Sequence, residues 1–102
     1  MDFKLITCIV PRGKAQHLIE GLSKTLGVTS GNAHSGRGAS ARRDVIQEVD
    51  VLIVPVAAEK AKAVFDYLYF EAGIDQHPGR LIYQEALAQT SNLDLLDHAF
   101  LD

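Results

Sequence analysis

The 102-residue chain has one cysteine, no tryptophan, three prolines and 7% aromatic residues. Cys8 has no second thiol to pair with, which excludes an internal disulfide framework. No run of eighteen apolar residues occurs, so no membrane insertion is expected. The first residues, Met1 and Asp2, lead into no basic region and no small-residue cleavage site, so no secretory signal is expected. Charge of one sign is scarce as well. Ten Lys and Arg face thirteen Asp and Glu, a net charge of −3, which argues against nucleic acid as a partner. Hydrophobic content of 47% with so low a net charge excludes disorder. What these absences leave is a small cytoplasmic protein with one domain over residues 1–102.

The apolar residues are ordered. Phe3 to Val10 form a short β-branched run closed by Pro11, which offers no amide to a ladder, and predict a strand. From Gly13 the period changes. Ala15, Leu18, Ile19, Leu22 and Leu26 make one helical stripe, and Gly27 stands where a left-handed residue ends a helix. A weaker strand is predicted over about 28–34, followed by a Gly/Ser/Arg-rich stretch from Ser35 to Asp44. The second half repeats the first. Val49 to Val56 predicts a strand, and its Ile53-Val54-Pro55 echoes Ile9-Val10-Pro11. Ala61, Val64, Phe65, Leu68 and Ala72 predict a helix that Gly73 ends, and Arg80 to Tyr83 predict a fourth strand. The order β-α-β-β-α-β is that of an α+β, ferredoxin-like fold: a four-stranded antiparallel sheet with two helices on one face. Residues 86–102, with Leu93, Leu95, Leu96 and Phe100, predict a short docking segment.

Both long strands are apolar on both sides. Phe3, Leu5 and Ile9 alternate with Ile6, Cys8 and Val10; Val49, Val51 and Ile53 alternate with Leu52, Val54 and Val56. Two helices cover one face of such a sheet. The other needs a cover, from self-association or from the C-terminal segment folding back.

Enzyme chemistry has little to stand on. His17, His34, His77 and His98 are scattered, with no pair at helical metal-ligand spacing, so no tightly bound metal is expected. Cys8 sits among apolar neighbours and reads as an inert core thiol. The serines lack a nucleophile elbow. Most informative is Ser35-Gly36-Arg37-Gly38-Ala39-Ser40-Ala41-Arg42-Arg43, which packs three of the five arginines among small residues. Guanidinium forks beside accessible backbone amides suit phosphate, and the same composition also suits a solvated loop. A second segment, Gly73 to Arg80, brings Gly79 and Arg80 to the mouth of the fourth strand.

Taken as an ordered set over about residues 3–85, these segments resemble the PII superfamily of small signalling proteins. Phe3-Lys4-Leu5-Ile6-Thr7-Cys8-Ile9-Val10-Pro11 resembles its first strand, and Val51-Leu52-Ile53-Val54-Pro55 its third. Ser35-Gly36-Arg37-Gly38 is similar to the base of its T-loop, here about 36–48. Ala72-Gly73 through Pro78-Gly79-Arg80-Leu81-Ile82-Tyr83 is similar to its B-loop and the following strand, with the loop at about 73–80 and Arg80 where lysine is usual. The resemblance implies a non-enzymatic homotrimer of the nitrogen regulatory kind, with sheets facing inward. Adenine nucleotide (AMP, ADP or ATP) would bind between subunits and control a partner protein, a transporter or a carbon- or nitrogen-metabolism enzyme. It also implies that Gly36, Arg37, Gly38, Gly79 and Arg80 contact the nucleotide. The sequence departs from the family in two ways. Its T-loop is short and has no tyrosine, and residues 81–102 carry four acidic residues and no Lys or Arg where a basic C-terminal loop is usual. AMP or ADP is therefore expected to bind at least as tightly as ATP. The alternative on the same architecture is a CutA-like metal-tolerance protein.

Overall fold

The computed structural model describes residues 2–39 and 46–87. Along the chain run β1 (Phe3–Pro11), α1 (Ala15–Leu26), β2 (Asn32–Ala39), β3 (Ile46–Ala57), α2 (Ala58–Glu71) and β4 (Leu81–Ala86). The four strands form one sheet in the order β2-β3-β1-β4, and every neighbouring pair is antiparallel. This is the ferredoxin-like arrangement expected from the alternation of periods.

The register sorts side chains by face. Cys8 lies between Leu52 of β3 and Ile82 of β4, and Ile6 lies opposite Val54. These even-numbered positions face the helices. Ile6, Cys8, Leu52 and Val54 are wholly buried, as are Leu22 of α1 and Val64 and Leu68 of α2. Each such aliphatic side chain contributes about 1.5–3 kcal/mol relative to exposure. Close approach of the helices depends on Gly21: a Cβ there would overlap the Tyr67 hydroxyl.

Both helix ends are secured by tertiary contacts. Lys14, at the N-cap of α1, makes no side-chain cap. Asp50 of β3 supplies it instead, its Oδ2 accepting from the amides of Gly13 (2.9 Å) and Ala15 (3.2 Å). Gly27 ends α1 with φ +66°, as the sequence predicts, and Lys60 of α2 donates to the Leu26 carbonyl.

The second strand differs from expectation. Predicted over about 28–34, it runs from Asn32 to Ala39, so Ser35, Gly36, Arg37 and Gly38 are ladder residues paired with Asp50, Val49, Glu48 and Gln47. The strand lacks an alternating apolar pattern because its partner β3 supplies both the hydrogen bonds and the core side chains. Residues 28–31 instead tuck in Val28 and Ser30, whose hydroxyl donates to the Pro55 carbonyl at 2.7 Å. β1 and β3 extend the predicted spans by a few residues, whereas β4 starts at Leu81, one residue after the predicted Arg80, and runs on to Ala86. Arg42, Arg43, most of the 86–102 docking segment and its acidic residues lie outside the described residues.

Candidate functional site

The odd-numbered positions of β1 and β3 point away from the helices. Rows run across the sheet from Leu81 through Ile9 and Val51 to His34, and from Tyr83 through Thr7 and Ile53 to Asn32. Leu81 is 50% exposed and Tyr83 44%. Gly36 leaves a gap at the β2 edge, where a Cβ would make only ordinary contacts with Val49 and Val51 at 3.7 Å. Gly36 and Gly38 do not adopt the left-handed backbone, whereas Gly79 does, with φ +90°.

The two segments singled out in the sequence lie at one end of the sheet. Pro11, Glu48 and Val49 meet Pro78, Gly79 and Arg80 around a hollow of about 70 Å³. Val49 is also the ladder partner of Gly36, which links the two segments. Arg37 does not join this group. By alternation it points to the helix-facing side, level with Glu48, and it is exposed. Three strand spacings separate β2 from β4, roughly 14 Å, so Arg37 and Arg80 do not meet within one subunit. Glu48 is engaged by Arg12 at 2.6 Å.

Arg80 is half-buried. Its Nη1 donates to the Ala72 carbonyl at 2.7 Å, closing the C-terminus of α2. Its charge also reaches Cys8: burial pushes the thiol up to about 11, and the guanidinium pulls it partly back. On the helix side Arg80 borders a second cleft of about 220 Å³, with Lys14, His17 and Glu71 at its rim. Sequence reasoning missed Lys14 and gave the exposed His17 no role. The only signal was their spacing, three residues apart on one helical face. Among the described residues no three His, Cys, Asp or Glu side chains cluster as metal ligands, and no helix is long and apolar enough to cross a membrane.

No protein-family model matches the sequence, and no characterised protein matches it by sequence. Solved structures do match its fold. The Bacillus subtilis GlnK–ATP complex superposes with a TM-score of 0.72 at 16% identity, covering 91% of this chain and 88% of that one. Arabidopsis thaliana PII bound to citrate gives 0.69 at 17%, covering 84% and 75%. The periplasmic divalent cation tolerance protein CutA from Archaeoglobus fulgidus gives 0.66 at 16%, covering 96% and 98%. The chain thus has the ferredoxin-like fold shared by PII and CutA proteins.

Proposed function

We propose that the protein is a non-enzymatic, cytoplasmic PII-like regulator that assembles as a homotrimer through the open sheet face. It binds an adenine nucleotide between subunits and transmits its presence to a partner transporter or metabolic enzyme. The observation that carries this reading is the apolar face running from Leu81 to Val51, with the Gly36 gap and the Gly79–Arg80 hollow at the same end. A hollow of about 70 Å³ cannot enclose a nucleotide; sites for molecules of that size run to about 300–1,000 Å³. A second subunit across the open face would complete the walls. It would also set its own Gly36 and Gly38, on the open-face side of β2, against Gly79 and Arg80. The GlnK neighbour was solved with ATP, which supports the ligand class.

Light scattering coupled to size exclusion should give three times 11.1 kDa, and calorimetry should show saturable nucleotide binding. AMP or ADP should bind at least as well as ATP, because residues 81–102 bring no cation to outer phosphates. A monomer at micromolar concentration overturns the assembly. A tenfold preference for ATP, about 1.4 kcal/mol, overturns the ranking. Thermal shift with divalent cations serves the CutA-like alternative: stabilisation by metal and none by nucleotide would replace the regulator reading.

A further inference from the structure

The cleft of about 220 Å³ between the first turn of α1 and the last turn of α2 lies on the helix side of the sheet, away from the open face. Its floor is apolar, formed by Val10 and Leu18, both at most 2% exposed. Three basic side chains, Lys14, His17 and Arg80, and one acid, Glu71, surround that floor. Among the described residues none of Lys14, His17 or Glu71 makes an ion pair or side-chain hydrogen bond. Arg80 uses one of its five N–H donors on the Ala72 carbonyl and keeps the others. The α1 amides of Gly13 and Ala15 are already taken by Asp50, so any ligand here is held by side chains.

We propose that this cleft binds inorganic phosphate as its monohydrogen dianion. Lys14 and Arg80 supply two positive charges for two negative ones, with Arg80 presenting a planar fork to a pair of oxygens. His17 donates to a third oxygen. The remaining oxygen carries a proton, and the Glu71 carboxylate accepts it. An acid on the rim of an anion site is otherwise a liability, since it repels any oxyanion with no hydrogen to donate. Glu71 therefore makes the site selective: sulfate and a fully ionised phosphate monoester are rejected, while monohydrogen phosphate is retained. Arg80 borders both this cleft and the proposed nucleotide hollow, whereas Lys14, His17 and Glu71 play no part in the latter, so variants at Lys14 and Glu71 separate the failure of one site from that of the other.

The test is calorimetry with amide NMR on the full chain at pH 8 and fixed ionic strength, with inorganic phosphate, sulfate and methyl phosphate. At that pH methyl phosphate, with a second pKa near 6, has lost its last proton. Phosphate should bind saturably and at least tenfold tighter than either competitor, with shifts centred on Gly13, Lys14, Ala72 and Arg80. Lys14→Ala should weaken phosphate at least tenfold while leaving AMP binding unchanged. Glu71→Gln, whose amide can donate, should bring sulfate within about threefold of phosphate. Lys14 and Glu71 are both exposed, so the variants retain the core. Equal binding of all three anions, or phosphate binding indifferent to Lys14→Ala, would overturn the proposal.

Discussion

On the helix-facing side of the sheet, Ile6, Cys8, Leu52 and Val54 are wholly buried within one chain. On the other side, Leu81 and Tyr83 keep 50% and 44% of their surface exposed. The two sets alternate along the same strands, separated by one residue and by the direction of the pleat. The covered face is paired with helices whose sequences match it, so it stabilises the single chain. The other face is as apolar in β1 and β3 but, among the described residues, meets no helix. In the proposed trimer, stability and assembly would divide between alternate residues of one element.

The largest effect that would sharpen this contrast is Leu52→Ala on the covered face. With no surface exposed, its truncation should leave a cavity and cost about 2–5 kcal/mol in urea unfolding; a loss under 1 kcal/mol would mean the core is not closed as described. Next comes the thiol at Cys8. The folded protein keeps this proton up to about pH 11, whereas an ordinary thiol releases it near 9.0. The associated stability is present below pH 9 and is lost as the pH rises towards 11, roughly 3 kcal/mol in all. Unfolding curves of the wild type and Cys8→Ala should therefore converge over that window, and parallel curves would refute the buried thiol. Asp50→Ala should remove the borrowed cap of α1 and cost about 1 kcal/mol, with Asp50→Asn recovering most of it. Smallest in stability is Leu81→Lys on the open face, where the side chain is 50% exposed. A single chain should lose no more than about 0.5 kcal/mol, while the molar mass by light scattering should fall to that of one subunit. A large stability loss in the isolated chain would erase the distinction between the faces.

The covered and open faces were legible from period-two alternation in β1 and β3, and both helices from the stripes ending at Gly27 and Gly73. β2 was legible only in part. Gly36, Arg37 and Gly38 lack the side chains that announce a strand, and the ladder they join is dictated by β3, a tertiary fact. The same limit applied to the site. Gly79 and Arg80 were marked by composition, but the Ala72 carbonyl that anchors Arg80 carries no side-chain signal. Asp50 interrupts an apolar strand, yet its service to α1 depends on a neighbour 37 residues away.

The sheet order also governs how the molecule comes together in time. β1 is the first strand of the sequence and the inner partner of two others: Phe3 pairs with Ala57 and Lys4 with Ala86. As the chain leaves the ribosome, β1 emerges first and neither of its ladders can close until much later segments arrive. The β2–β3 hairpin can form locally, but the centre of the sheet must wait for closures that span half the chain and then nearly all of the described residues, each at a growing entropic cost. Folding is therefore expected in the slower, non-local regime rather than the microsecond one of helical bundles. During that interval β1, apolar on both faces and unpaired on both edges, is the segment most exposed to wrong partners.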